Sequence, residues 1–135
     1  MLLLAVISTA IDPCRLITAD DVTRLTGWTT NAPASKKRYH MPQESGTTCS
    51  LSAAEGVVTV PDAGSLTGSG VFANPLANGG AIAVHIHNGY AEIFNGSVYV
   101  DKHHRHAVIK ILPLADQATQ AELTAAAEIV AGRLP

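Results

Sequence analysis

Apolar and polar residues alternate along much of the chain between residues 47 and 112, in the two-residue period of β-strands. Polar or glycine-containing turns separate the apolar runs, which predicts an antiparallel sheet of about five strands. The runs that predict strands are Thr47–Ala53, Gly56–Val60, Ala81–His87, Tyr90–Phe94, Ser97–Val100 and His106–Leu112.

The sharpest turn signal is Asn95-Gly96, which stands between two apolar runs. This dipeptide favours a two-residue hairpin turn, because both residues tolerate positive φ. Asp101–Arg105 is predicted to be the loop before the last strand, and Pro113 is predicted to end that strand.

Two segments have the three-to-four-residue apolar spacing of helices. The first is predicted to begin at Thr18, with Asp21 completing a capping box, and to end at Gly27. The second begins at Thr119, with Glu122 in the equivalent position. Its apolar stripe is predicted to pack on the sheet and consists of Leu123, Ala126, Ala127, Val130 and Leu134.

Two long stretches lack any periodicity and are predicted to be loops, Thr29–Gly46 and Pro61–Gly80. The first contains the basic run Ser35–His40, with a short strand near Arg38–Met41 as an alternative. The second is rich in glycine but matches no phosphate-binding motif. The whole pattern predicts one α+β domain over residues 1–135, with the sheet in meander order and an N-terminal and a C-terminal helix on one face.

The first eleven residues support two interpretations. Residues 2–7 are continuously apolar and are followed by small residues, which is typical of a secretory leader, although the basic start of a leader is absent. An ordinary first strand fits equally well. The run is too short to span a bilayer.

Composition excludes some classes of function. The 135 residues are 47% apolar and 15% charged, with a net charge of −2, so the chain is globular and carries no basic surface for nucleic acid. The expected partner is therefore a small molecule or a protein. A homodimer through the outward sheet face is a further option, because Ala83 and Val108 are not strongly polar.

Two cysteines, Cys14 and Cys49, occur in this small domain behind a leader-like start, and this favours a disulfide in an oxidising, extracytoplasmic location. Two unpaired thiols in a cytoplasmic protein are the alternative.

The segments DPCRLITADDVTRLTG and TTCSLSA, together with the strand pair and Ala-rich helix of residues 97–134, resemble actinobacterial secreted proteins and lipoproteins of uncharacterised function. The resemblance implies an α+β fold outside the cytoplasm and a cysteine bridge between the N-terminal helix and the sheet. It implies no catalytic residues. The chain departs from this group in lacking a lipidation box before Cys14, and in having KHHRH where such proteins have a short glycine turn.

Six histidines are the main candidate chemistry. His85 and His87 lie two apart on one predicted strand and therefore share a face, as do His104 and His106 next to the last strand. If these two strands are neighbours, four imidazoles, with Asp101 as a further ligand, would suit Zn²⁺ or Cu²⁺. The simpler interpretation is a polar sheet face, and no other cofactor is predicted.

The sequence is compatible with three functions. The first is a non-enzymatic, extracytoplasmic binding module that uses the sheet face and the loops Thr29–Gly46 and Pro61–Gly80. The second is a Zn²⁺- or Cu²⁺-binding protein. The third is a small-molecule enzyme with a histidine acid or base beside a carboxylate in a deep pocket. Catalytic motifs such as G-x-S-x-G and H-E-x-x-H are absent from the sequence, which weighs against the third.

Overall fold

A computed structural model describes residues 12–40, 45–61, 81–102 and 105–134. A 3₁₀ turn at Pro13–Arg15 precedes helix α1, and helix α2 closes the described chain. Between the two helices, the described residues form seven strands. The elements are α1 (Ala19–Thr26), β1 (Ser35–His40), β2 (Ser45–Ala53), β3 (Gly56–Pro61), β4 (Ile82–Ile86), β5 (Gly89–Phe94), β6 (Ser97–Lys102), β7 (Arg105–Pro113) and α2 (Gln120–Arg133).

The fold is α+β with one antiparallel sheet, as predicted, but the sheet has seven strands and not about five. Its order is β1-β2-β3-β7-β6-β5-β4, so the prediction of a simple meander is also wrong. The last strand pairs with β3 through a register that sets Val58 opposite Ile111. Consequently β4 lies at the far edge, and two hairpin-built halves meet in the middle of the sheet.

The basic run Ser35–His40, predicted to be mainly loop, is the edge strand β1, and it pairs along its full length with β2. Its sequence gives no alternation because polar residues occupy both faces. One of them, Lys36, reaches Asp12 beside the 3₁₀ turn, with 2.7 Å between Nζ and Oδ2. Lysines on an edge strand discourage pairing with other chains, which explains a strand built from cations.

The core lies between the sheet and the two helices. All five residues of the predicted α2 stripe belong to it, together with Leu16, Ile17 and Val22 from the N-terminal segment. The N-terminal helical segment is short, since it comprises the 3₁₀ turn and eight residues of α1. The turn packs on β2 and β3, whereas α2 packs on β4 to β7 and contacts α1. In the part of the chain that the structure describes, neither helix combines the length and apolarity needed to cross a membrane.

The helix-capping predictions are confirmed. Thr18 and Asp21 form a reciprocal capping box at α1, and Thr119 and Glu122 form one at α2. Gly27 ends α1 in the left-handed conformation, with a φ of 79°. At the other end of α2, the Lys102 ammonium donates to the carbonyl oxygens of Ala131 and Leu134, at 2.7 and 2.8 Å, which satisfies two carbonyls that a helix end leaves unpaired.

Two links fasten the N-terminal segment to the rest of the molecule. Cys14 and Cys49 form a disulfide, with 5.2 Å between their Cα atoms, so the predicted bridge is confirmed. The second link is the buried carboxylate of Asp21, which accepts two hydrogen bonds from the guanidinium of Arg133. Arg133 also donates to the carbonyl of Leu16 at 2.8 Å. The start and the end of the described chain are therefore joined to each other.

Three predictions fall outside the described residues. They are the leader or first strand in residues 1–11, the glycine-rich segment of residues 62–80, and the positions of His103 and His104.

Candidate functional site

The sheet has a core face, covered by α2, and an opposite face, which we call the open face because neither described helix packs on it. Val84, Ala91, Val100 and Ala107 belong to the core and lie opposite one another across β4, β5, β6 and β7. Side chains alternate along a strand, so the next residues along each strand are on the open face. They form a row in register across the four strands: His85, Tyr90, Asp101 and His106.

A second row lies beside the first on the open face and includes Glu92 on β5, Tyr99 on β6 and Val108 on β7. These three side chains are buried, with Glu92 only 5% and Val108 only 1% exposed. Phe94 packs against Tyr99 and Val108. The expectation that Val108 is an exposed outward position is therefore wrong, whereas Ala83 is exposed.

Tyr90 connects the two rows, because its hydroxyl donates a hydrogen bond to the Glu92 carboxylate. The two residues are two apart on β5 and therefore share a face. The bond raises the pKa of Tyr90 above its usual 10.0, and partial burial and the negative charge of Glu92 act in the same direction. Burial also raises the pKa of Tyr99, against a smaller opposing effect of a hydrogen bond with Ser97. Both tyrosines are therefore neutral at physiological pH.

Asp101 and His106 are directly opposite on β6 and β7, with 3.7 Å between Asp101 Oδ2 and His106 Nδ1. This separation is longer than a hydrogen bond, and the attraction becomes that of an ion pair when the imidazole is protonated. We call Tyr90, Glu92, Tyr99, Asp101 and His106 the open-face cluster.

A shallow cleft of about 580 Å³ adjoins this cluster at the β4–β5 turn, and we call it the turn cleft. Gly89, the first residue of β5, approaches β6 so closely that a Cβ there would lie 2.6 Å from the carbonyl oxygen of Asp101. The turn is also held to α2, because the backbone N–H of His87 donates to the Glu128 carboxylate. The cleft is lined by His87, Asn88, Gly89, Tyr90, Asp101 and Lys102.

A second cleft, of about 530 Å³, lies where the β5–β6 turn meets the start of α2. Its lining combines apolar residues, among them Ile93, Ile111 and Leu123 from the core, with polar ones that include Asp116. It contains none of the histidines, nor Asp101, that the sequence indicated as candidate ligands.

The structure separates His85 from His106, two of the four histidines that were predicted to hold a metal. The predicted site required the strands of His85 and His106 to be neighbours, but β5 and β6 lie between β4 and β7. Three strand spacings correspond to about 14 Å, which is far beyond the span of one ion. No group of three or more histidine, cysteine or acidic residues able to hold a metal occurs within the described ranges. Because His104 lies outside those ranges, its part in a site stays a prediction.

Sequence reasoning brought His87 and Asp101 forward and missed Tyr90, Glu92 and Tyr99. The signal for them was available. A two-residue turn at Asn95-Gly96 sets Phe94 opposite Ser97, and counting back along the hairpin then sets Glu92 opposite Tyr99. The sequence alone could therefore have placed Tyr90, Glu92 and Tyr99 on one face of this hairpin.

No protein-family model matches the chain, and neither does any curated protein or any solved structure.

Proposed function

We propose that this protein is an extracytoplasmic, disulfide-stabilised binding module that takes its ligand at the turn cleft and the open-face cluster. One observation carries the proposal. Glu92, a carboxylate that is 95% buried on the sheet face opposite α2, is hydrogen-bonded by the half-exposed Tyr90 at the border of the turn cleft. A buried charge is costly to retain in a fold unless it has a partner or a role.

Two further observations support this choice. The cleft lies on regular strands whose turn is held by Glu128 and Gly89, so its polar groups are positioned in advance of binding. The Cys14–Cys49 bridge fits an oxidising compartment. The likeness of DPCRLITADDVTRLTG to secreted actinobacterial proteins and lipoproteins agrees with this location, and we propose that origin together with the function.

The test is a screen of water-soluble small molecules by two-dimensional NMR on the whole oxidised chain. We expect the compounds that bind to shift the backbone amides of Gly89, Tyr90 and Asp101. Tyr90→Ala should weaken their binding at least about tenfold, because it removes the largest accessible side chain of the cleft. Leu114→Ala, at a position 81% exposed and remote from the cleft, is the matched control and should change nothing. Compounds that bind only at the second cleft would contradict the proposal.

The Asp101–His106 pair supports a second candidate, an enzyme with a histidine acid or base. The observation behind it is the approach of the His106 imidazole to the Asp101 carboxylate on the open face, in which the His106 side chain is 20% exposed. The turn cleft is shallow and includes Asp101 but not His106, so we rank it second. The same NMR samples decide between the two candidates. Signals of a reaction product that appear over hours in the wild type, and that are absent with His106→Gln, would show that the protein is an enzyme.

A further inference from the structure

Aromatic side chains are scarce in this chain and are concentrated around Glu92. The sequence has one tryptophan, three tyrosines and two phenylalanines. Three of these six flank Glu92 on the open face. Tyr90 and Phe94 lie two residues to either side of it on β5, and Tyr99 is directly opposite on β6. The core of the molecule is filled mainly by aliphatic residues. Packing of the sheet therefore does not by itself require three aromatic residues around Glu92.

The carboxylate within this aromatic group has no counter-ion among the described residues. The ion pairs there are Lys36 with Asp12, His106 with Asp101, and Arg133 with Asp21. Glu92 accepts a hydrogen bond from Tyr90, but a carboxylate has about four acceptor sites and a full negative charge. The described residues therefore place a buried carboxylate side chain next to aromatic rings, with a hydrogen bond from Tyr90 and no ion pair.

Access to that anion lies through Tyr90 and Asp101. Tyr90 is 48% exposed and the Asp101 side chain is 44% exposed, and both line the turn cleft. A phenol that donates to a carboxylate becomes a better acceptor at its own oxygen, because hydrogen bonds in a chain polarise one another. A cation at the cleft would meet the ring and oxygen of Tyr90, the Asp101 carboxylate, and the charge of Glu92 one hydrogen bond further in.

Among the described residues, neither Lys102 nor Lys110 occupies this position. Lys102 lines the cleft, but its ammonium is held by the carbonyls of Ala131 and Leu134 at the end of α2. His106 lies beside Asp101 on the side away from Tyr90, since β6 separates β5 from β7. Lys110 is opposite Ser97, beyond the Tyr99 row.

From this arrangement we infer that the ligand of the turn cleft is a small organic ammonium ion. The inference rests on the proposed function and adds the class of ligand. Aromatic faces attract cations, and quaternary ammonium groups are recognised by aromatic residues together with nearby negative charge. The shallow, open cleft fits a weakly hydrated organic cation, which gains from contact with aromatic rings as well as from charge.

The experiment compares choline with 3,3-dimethyl-1-butanol, its neutral carbon isostere, by NMR titration of the whole oxidised chain at low salt. We expect choline to shift the amides of Tyr90 and Asp101, and to bind at least about tenfold more tightly than the isostere. Glu92→Gln, which preserves shape and still accepts from Tyr90, should weaken choline binding about three- to tenfold and leave the isostere unchanged. Glu55→Gln removes the same charge from the β2–β3 turn and is the control.

A second pair of variants tests the aromatic contribution. Tyr90→Phe keeps the ring and should retain most of the choline affinity, whereas Tyr90→Leu keeps apolar bulk without the ring and should lose it. Equal affinity for choline and the isostere, or a Glu92→Gln protein that binds choline as the wild type does, would overturn the ammonium assignment. If other compounds from the screen still bind at the turn cleft, the binding module stands without this ligand class. If nothing binds there, both proposals fail.

Discussion

At the scale of single residues, the most consequential ionic contact is that between Asp21 and Arg133. Burial alone would raise the pKa of Asp21, but the hydrogen bonds from Arg133 and from Thr18 outweigh it and lower the pKa from 3.8 to about 2. The carboxylate therefore stabilises the fold through its charged form. The same residue caps α1, so one side chain both begins a helix and holds the last helix in place.

This pair predicts a stability loss in acid. Because the folded pKa is below the unfolded one, the contribution is complete above about pH 4 and disappears as the pH falls through about 2. The difference corresponds to about 2 kcal/mol. Urea unfolding between pH 2 and pH 6 should show this slope in the wild type and a reduced slope in Asp21→Asn. Asp20→Asn, an exposed neighbour in the same helical turn, is the control, and an equal slope in both variants would contradict the assignment.

Alanine substitutions at two glycines are expected to have opposite effects on the stability of the fold. A Cβ at Gly56 would lie 2.5 Å from the carbonyl oxygen of Leu112 and 2.7 Å from the Trp28 ring, so Gly56→Ala should destabilise the fold by about 1–3 kcal/mol. At Gly132 in α2 a Cβ would meet nothing within 4 Å. Gly132→Ala should therefore stabilise by up to about 0.5–1 kcal/mol, because alanine loses less conformational entropy in a helix. Thermal unfolding of the two variants checks both signs, and a change of the same sign in both would refute the packing argument.

At the scale of elements, the bridge between the 3₁₀ turn and β2 has the largest expected effect. It joins residues 35 apart, so the chain-entropy model gives about 3–4 kcal/mol of stabilisation. The double variant Cys14→Ser, Cys49→Ser should lose this amount in urea unfolding, and the reduced wild type should match it. The oxidised protein should show no reactive thiol. Two titratable thiols in the native state would refute the bridge and remove the main support for an extracytoplasmic location.

The elements also show which parts of the fold local sequence determines. Thr18, Asp21, Gly27 and the Asn95-Gly96 turn act within a few residues of themselves, and each appears in the structure where the sequence predicts it. Strand β1 was misjudged because its residues 35–38 are exposed on both faces, so this strand lacks the one-sided burial that produces alternation. The open-face cluster was not predicted because its residues lie on different strands and come together only when those strands are paired in register.

At the scale of the whole molecule, the sheet consists of two antiparallel blocks, β1–β3 and β4–β7, joined where β3 pairs with β7. This junction cannot be predicted from hairpin turns, because it pairs residues about 50 apart in sequence. Because β3 pairs with β7, β4 lies at the edge of the sheet and His85 is separated from His106. Strand order was therefore the missing information for both the fold and the metal hypothesis.

The strand order predicts a gradient of local stability. We expect the slowest amide hydrogen exchange in β7, which has three strands on each side and contributes Ala107, Ile109 and Ile111 to the core. Exchange should be fastest in β1 and β4, the two edges of the described sheet. The measurement is native-state exchange followed by NMR. Faster exchange in β7 than in β4 would contradict the strand order.

The disulfide also determines how the protein would carry mechanical load. A pull between the N-terminal side of Cys14 and the end of α2 passes through the covalent bridge directly into β2. Residues 15–48 lie inside the closed loop and remain slack, so tension cannot peel β1 from the sheet or unwind α1 from its cap. When such a protein is pulled from its N-terminus, the length gained on unfolding is thus shorter by the contour length of about 34 residues for as long as the disulfide is intact.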